Sequence, residues 1–180
     1  MNRCRLTLSP FLSLLILSAF ALSALGCGYA LVGRSSNVPE SVRSVYLKPF
    51  VNRTQRTQVE QELTRAIADE LVTRQRFSVA SAEAGANAQI SGTVVHFGVT
   101  PVTFDDQGRA TEYEISITAQ VEFKNLADDK VLWSNDRYTF RESYPVEVSS
   151  AAYFDREDEA LEKAAKRFAE TMVSDLLEGF

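Results

Sequence analysis

The sequence predicts an α+β protein, an α/β sandwich in which two helices cover one face of a single four-stranded mixed sheet, in the order β-α-β-β-β-α. Two stretches of the chain carry apolar residues at helical spacing. Other stretches alternate apolar and polar residues, as half-buried strands do. Because a broad apolar helix stripe must be buried against a large surface, both helices are expected to pack on the sheet.

The first predicted strand covers 42–50 and ends near Pro49, which is tolerated at a strand end. The first predicted helix follows, with Thr57 and Glu60 at the spacing of a capping box. It is expected to run to about Gln75, with the basic Arg74 near its C-terminus. Its apolar positions are Val59, Leu63, Ala66, Ile67 and Leu71.

The next three strands are predicted to form an antiparallel meander. The strand over 88–99 changes its apolar parity at Val94 and Val95, which indicates either a bulge or a part covered on both faces. The strand over 113–124 alternates without interruption, so one face is expected to be buried and the other wet. Turns at 105–109 and 128–129 separate these strands from a last one at 131–133. The right-handed crossover rule places the first strand parallel to the second.

The second predicted helix closes the chain. It begins with the acidic residues Asp155, Glu157, Asp158 and Glu159, which complement the helix dipole, and it ends near Gly179. Its apolar stripe consists of Leu161, Ala165, Phe168, Met172 and Leu176. A stripe this broad predicts burial against the sheet.

The N-terminal segment has the architecture of a secretory signal. Arg3 and Arg5 precede an apolar stretch over 11–25 that is followed by Gly26 and Cys27. Residues 1–26 are predicted to be a removed lipoprotein signal peptide, residues 27–41 a lipidated N-terminus and tether, and residues 42–180 a single domain. Acyl chains on Cys27 would anchor the protein to a membrane. The alternative is a plain signal peptide that leaves Cys27 as a free thiol.

Composition argues against several classes of function. The formal net charge is −5 and the sequence pI is about 5.0, which gives no basic field for nucleic acid. The chain has one His and two Cys, and it contains neither a Gly-x-Ser-x-Gly motif nor a phosphate-binding loop. The sequence therefore predicts no catalysis, no metal and no cofactor.

Several short motifs, taken together in their order along the chain, resemble the lipopolysaccharide-assembly lipoprotein family (LptE). The resemblance extends from Cys27 to the last helix. The motifs are Cys27-Gly28-Tyr29-x-Leu31-x-Gly33, Val38-Pro39, Val45-Tyr46-x-x-Pro49-Phe50-x-Asn52-x-Thr54, Glu62-Leu63-Thr64, Arg76-Phe77-x-Val79, Gly108-Arg109-Ala110-Thr111-Glu112-Tyr113 and Lys130-Val131-Leu132-Trp133.

The resemblance implies an outer-membrane lipoprotein, on the periplasmic face, that plugs the β-barrel LptD and helps deliver lipopolysaccharide (LPS) to the outer leaflet. It also implies two helices against a four-stranded sheet. Basic residues are expected to contact LPS near the turn between the second and third strands, where Arg109 lies, and near the last helix, where Arg141 and Arg156 lie.

A plug also needs a wide polar surface against the polar lumen of its barrel. The wet face of the clearest strand predicts a partner-barrel contact at Glu114, Ser116, Thr118 and Gln120. A competing interpretation starts from 45–54, which is also similar to curli-secretion lipoproteins and to lipoprotein activators of peptidoglycan synthases. It would make the protein a module of another envelope complex.

Overall fold

The alternation of β-formers with two amphipathic segments produces a mixed sheet and two helices. A computed structural model describes residues 38–146 and 153–178, without the side chains of residues 153–156. The strands are β1 (Ser44–Leu47), β2 (Val51–Asn52), β3 (Ser78–Ala80), β4 (Ala88–Phe104), β5 (Ala110–Asn125) and β6 (Val131–Pro145). The helices are α1 (Val59–Arg74) and α2 (Tyr153–Glu178). The predicted α+β class is confirmed.

The sheet has six strands in the described residues, so the predicted number of four is wrong. Its order is β3-β1-β4-β5-β6, and β2 pairs with β4 beyond the end of β1. Two short elements account for the difference. The single strand predicted over 42–50 is divided into β1 and β2 on either side of Pro49, and β3 has only three residues. A strand that short carries no readable alternation.

Strand directions follow the sequence-based expectation. β1 is parallel to β4, with Val45 opposite Ala88. β4, β5 and β6 form an antiparallel meander. The parity change at Val94 and Val95 is a β-bulge, since the register with β5 shifts between Val94 and His96.

Two strands of the meander are longer than predicted. β4 continues to Phe104, past Pro101, and β6 continues from Trp133 to Pro145. The register of β6 on β5 shifts where Val121 pairs with Asn135 and Ala119 with Tyr138. This irregularity interrupts the alternation of apolar and polar residues in β6, so the sequence pattern predicts only the first residues of this strand.

Helix α1 begins without the predicted capping box. The residue before it is Gln58, whose φ is 70° and whose side chain makes no cap hydrogen bond. Glu60 is occupied elsewhere, because its Oε2 accepts a hydrogen bond from Asn52 Nδ2 at 2.8 Å. The capping-box prediction for Thr57 and Glu60 is therefore wrong. The predicted C-terminus is confirmed, with Gln75 as the C-cap and Arg74 in the last turn.

The hydrophobic core lies between the helices and one face of the sheet. The two helices pack against each other, and α2 also packs on β5 and β6. The largest fully buried side chains come from both layers and are Phe123, Phe168, Leu63, Ile67, Leu71, Ile90, Ile115, Ile117, Met172 and Leu176. Val38, within the segment predicted as a tether, is also buried in this core.

Candidate functional site

The face of the meander opposite the helices is polar, and we call it the outer face. On β5 it consists of the four predicted contact residues Glu114, Ser116, Thr118 and Gln120. Their neighbours on β4 and β6 are also mostly polar: Thr100 and Ser143 flank Glu114, Gly98 and Arg141 flank Ser116, and His96 and Thr139 flank Thr118. The sheet thus assembles one polar surface from three strands.

Thr118 departs from the predicted wet face. Its relative exposure is only 9%, although neither α1 nor α2 covers this side of the sheet. Thr118 Oγ1 lies 3.1 Å from Thr139 Oγ1, within hydrogen-bond distance. On the same face, Ser116 Oγ lies 3.4 Å from His96 Nε2. Gln120 is exposed, so the accessible part of the outer face excludes Thr118 and includes Gln120.

Arg141 lies on the outer face beside a predicted barrel-contact residue. Its Nε is 3.5 Å from Glu114 Oε1. The Arg141 side chain is 65% exposed, so the pair is accessible to solvent and contributes little to stability. A cation and a carboxylate predicted for two different partners therefore neutralise each other on one surface.

Arg109 lies at the β4–β5 turn and is held by Asp105. The Arg109 backbone N–H donates to Asp105 Oδ1 at 2.9 Å, and its Nε donates to Asp105 Oδ2 at 2.8 Å. The pKa of Asp105 lies below its ordinary value, chiefly because of that backbone hydrogen bond, with the guanidinium and the Gln107 N–H adding to it. Half of the Arg109 side chain stays exposed, so its two Nη groups can reach an anion.

The three basic residues predicted to contact LPS do not form one cluster. Arg141 pairs across from Ser116, and the stretch of chain from Arg109 to Ser116 spans about 23 Å at roughly 3.3 Å per residue. Arg156 lies in α2, and its side chain falls outside the described residues. Of the three predicted LPS-contact residues, only Arg109 therefore lies at the β4–β5 turn.

Two exposed apolar side chains near Arg109 were missed by sequence reasoning. Val102 is 46% exposed and Phe104 is 56% exposed. The register of β4 on β5 shifts twice here, between Pro101 and Thr103 and between Thr103 and Phe104. These shifts and Pro101 obscure the alternation of apolar and polar residues, so the sequence pattern does not show which side chains of this stretch are exposed. The hairpin end thus combines a cation with apolar surface.

The Asn-x-Thr motif, Asn52 to Thr54, stabilises the loop between β2 and α1 through side-chain hydrogen bonds. Asn52 Oδ1 accepts hydrogen bonds from both the N–H and the hydroxyl of Thr54, each at 2.8 Å. Asn52 Nδ2 donates to the Arg56 carbonyl at 2.7 Å and to Glu60. One amide side chain therefore fixes the entry into α1, so this motif has a structural role.

Arg56 ties this loop to the start of α2, another contact that the sequence did not reveal. Its Nη2 forms an ion pair with Asp158 and lies 3.6 Å from Glu157 Oε1. Its guanidinium carbon lies 6.0 Å from the centroid of the Phe97 ring. The acidic start of α2 is thereby paired with a cation far away in the chain.

A shallow groove of about 410 Å³ lies on the sheet at the β2 side of the outer face. Its walls carry charges of both signs, from Lys48, Glu122 and Asp136, as well as the exposed Val51. Within 38–146 and 153–178, no group of three His, Cys, Asp or Glu side chains is arranged to hold a metal ion. The predicted lipidation site Cys27 lies outside the described residues.

The comparison with protein families decides the identification. The profile of the LptE family, described as lipopolysaccharide-assembly, matches residues 42–176. The chain belongs to the LptE family. Its role is therefore in LPS assembly, and LptE is a non-enzymatic component of LPS transport that interacts with LptD and LPS. A search of curated protein sequences finds no match.

Solved structures share the fold at low sequence identity. Lipoprotein B from Nitrosomonas europaea is 18% identical, with a TM-score of 0.53 over 83% of this chain and 90% of that chain. A protein from Xanthomonas campestris is 14% identical, with a TM-score of 0.51 over 77% of this chain and 87% of its own. A minor lipoprotein from Acinetobacter baumannii is 9% identical, with a TM-score of 0.50 over 77% and 95%.

LptE family lipoproteins lie in the outer membrane, which agrees with the predicted outer-membrane location. In the described part of the chain, neither α1 nor α2 has the length of apolar sequence that crossing a membrane requires.

Proposed function

We propose that this protein plugs the LptD barrel, supports its assembly and assists insertion of LPS into the outer leaflet. The observation that carries the proposal is the polar outer face, formed by three strands and left uncovered by the helices. The lumen of a large outer-membrane barrel is polar, so a plug needs a polar surface of this kind. The contact is proposed to include Glu114, Ser116 and Gln120, whereas Thr118, which is only 9% exposed, supports the face from beneath.

Depletion of the protein tests this proposal. We expect the folded barrel to decrease and the permeability barrier to weaken, because a barrel without its plug loses the surface that supports its maturation. Heat-modifiable migration of the barrel on gels and surface LPS are the measurements. Restoring wild-type protein is expected to restore both. Normal barrel levels together with normal surface LPS after depletion would contradict the plug assignment.

A substitution on the outer face tests whether this face contacts the barrel. Gln120→Arg adds a bulky cation to an exposed position, and Val72→Arg adds the same side chain to α1, where Val72 is 62% exposed. We expect Gln120→Arg to reduce co-purification of the barrel and Val72→Arg to leave it unchanged. Equal recovery of the barrel with both variants would exclude Gln120 from the contact.

The membrane anchor is proposed to be lipid on Cys27, with residues 1–26 removed. The support is the small residue that precedes Cys27 at the end of an apolar segment. Mass spectrometry of the mature protein is expected to show Cys27 as an acylated first residue. A mature chain that carries Cys27 as a free thiol would contradict the anchor.

Direct LPS binding is proposed to use Arg109, with Arg141 and Arg156 as further candidates. Of these two, only Arg156 lies in the last helix, because Arg141 lies in β6 on the outer face, opposite the helices. A guanidinium offers paired donors that suit a phosphate. Arg109 is the strongest of the three because Asp105 orients it through Nε and leaves the Nη groups accessible. Arg141 is instead paired with Glu114 on the face proposed to contact the barrel.

Replacing Arg109 is expected to weaken LPS binding by about tenfold to a hundredfold, because a hydrogen bond to a charged group contributes about 1.5–3 kcal/mol. Arg109→Asp reverses the charge and also places a second carboxylate beside Asp105, so Arg109→Gln is the cleaner variant. Arg109→Lys is expected to be intermediate, since it keeps the charge but not the paired donors. The measurement is equilibrium binding of LPS to the purified protein.

Arg65→Gln is the matched control, because Arg65 is also exposed and also paired with a carboxylate, that of Glu62. Thermal melting of each variant accompanies the binding measurement. Melting temperatures are expected to stay close to the wild-type value, since exposed substitutions usually change stability by about 0.5 kcal/mol or less. Equal LPS affinity in wild type and Arg109→Gln would show that Arg109 is an ordinary turn residue.

A further inference from the structure

Strand β4 changes from a central strand to an edge strand along its own length. Its first half has β5 on one side and β1 and β2 on the other. The last hydrogen bond on that second side joins the Arg53 N–H to the Val94 carbonyl at 2.9 Å. From His96 to Phe104, β4 pairs with β5 alone in the described part of the chain. We call this stretch, about 30 Å long at roughly 3.3 Å per residue, the β4 edge.

The β4 edge lacks the features that usually protect an exposed strand. No Asp, Glu, Lys or Arg occurs in β4, whereas the other long edge strand, β6, carries exposed Asp136, Arg137 and Arg141. The other edge strands of the described chain, β3 and β2, have only three and two residues. Charges and short lengths are common ways to prevent edge strands from pairing with other chains. Among the described strands, the β4 edge is therefore the long edge that neither charge nor short length protects.

The backbone groups of the β4 edge alternate in direction. The Val94 carbonyl points to β2, away from β5. Val94 pairs with Ala119, so the backbone groups of Ala119 also point away from β4, and those of the next β5 residue, Thr118, point toward it. His96, the partner of Thr118 after the bulge, therefore bonds to β5, as do Gly98 and Thr100. The N–H groups of Phe97 and Val99 then point outward. Pro101 is the next outward-pointing position after Val99, so the absence of its N–H removes no hydrogen bond to β5. The free donors and acceptors therefore form a regular row.

We propose that the β4 edge is a strand-addition site for an extended, uncharged segment of the barrel partner. The proposal rests on the plug function proposed above. An added strand would bond to the outward N–H and C=O groups of Phe97 and Val99, and the exposed Val102 would contact its side chains. The lack of charge in β4 means that an uncharged segment can pair without burying an unmatched ion.

Two observations favour the barrel partner over a second copy of this chain. The β5 residues that pair with the β4 edge include Thr118, Ser116 and Glu114, so this edge borders the outer face proposed to contact the barrel. In a symmetric pair of β4 edges, both copies would bring Pro101, and two donors would be missing from the new ladder. A foreign strand meets only one such gap.

Hydrogen exchange on the full chain, alone and in complex with the barrel, tests the proposal. The amides of Phe97 and Val99 are expected to exchange rapidly in the chain alone and on the order of a hundredfold more slowly in the complex. The amides of Gly98 and Thr100 are expected to be slow in both states, because they already bond to β5. Simple covering of side chains would not produce this alternation.

Unchanged exchange of Phe97 and Val99 in a complex that forms would overturn strand addition and leave the plug function standing. A chain that forms no complex with the barrel would overturn both. Protection of the same two amides in the chain alone, together with a doubled mass in solution, would assign the edge to a second copy and overturn the proposal.

A charged side chain on the edge gives a second test. Val102→Lys is expected to lower the recovery of co-purified barrel about tenfold, since Lys is a common means of preventing edge pairing. Val131→Lys is the matched control, because Val131 is 45% exposed, close to the 46% of Val102, and lies on β6. Thermal melting verifies that both variants fold. Equal recovery of the barrel with both folded variants would overturn the proposal.

Discussion

Phe168→Ala is expected to destabilise the protein by about 3–5 kcal/mol, the range for removing a fully buried aromatic side chain. Phe168 of α2 is 0% exposed. Its ring meets the rings of two β6 residues edge-on, with centroids 5.2 Å from Tyr138 and 6.3 Å from Phe140. The substitution therefore leaves a cavity between helix and sheet. Urea unfolding at equilibrium measures the loss.

Tyr138 adds a polar link at the same place, since its hydroxyl donates to Asp175 Oδ2 at 2.8 Å. Burial, together with this bond to a carboxylate, raises the pKa of Tyr138 well above its ordinary value. Phe168→Leu is expected to lose less stability than Phe168→Ala because more of the volume stays filled. Val72→Ala, at an exposed position of α1, is the control and is expected to lie within about 0.5 kcal/mol of wild type. A loss below 1 kcal/mol for Phe168→Ala would contradict this packing.

Gly92→Ala is expected to cost about 1–3 kcal/mol, as overpacking of a filled core does. A Cβ on Gly92 would lie 2.4 Å from Cε2 and Cζ of the Phe50 ring. Phe50 is itself buried, so the ring has little room to move aside. Its backbone is held in place as well, because its N–H donates to Thr64 Oγ1 at 3.0 Å. Gly92 thus accommodates the aromatic ring of the Pro-Phe motif.

The double variant Gly92→Ala with Phe50→Leu tests the cause. If the clash with the ring is the reason, the double variant is expected to be more stable than the two separate losses predict, because the smaller side chain relieves the contact. Ser91→Ala, at the adjacent half-buried position, is expected to have a small effect. Strict additivity of the two substitutions in denaturant unfolding would mean that the clash is not the source of the instability.

Much of the fold was predictable because local patterns match the final burial. The apolar positions of α1, Val59, Leu63, Ile67 and Leu71, are all buried. The alternation of β5 places Ile115 and Ile117 in the core. The parity change at Val94 is visible in sequence, but it left a bulge and coverage on both faces as alternatives, and the register with β5 decides for the bulge. The helix stripe, the β5 alternation and the parity change each depend on residues close together in the chain.

The candidate site was predictable only as a list of residue types. The turn position of Arg109 follows from local sequence, but its ion pair with Asp105 depends on how the turn closes. The pairing of Arg141 with Glu114 depends on the register of β6 on β5, which an irregularity at Asn135 shifts. Charge counting could therefore not tell which cations are already neutralised.

The sequence by itself determined the α+β class, the two amphipathic helices, the apolar face of β5 and the resemblance to the family, because periodicity and motif order are properties of the chain. Tertiary structure decided the number of strands, since β2 and β3 are too short to be recognised without the neighbours they pair with. It also directed Glu60 to Asn52 instead of a helix cap, and it left the β4 edge open beyond Val94. The physical reason is common to all three: hydrogen bonds and ion pairs between distant segments form only when the core has brought those segments together.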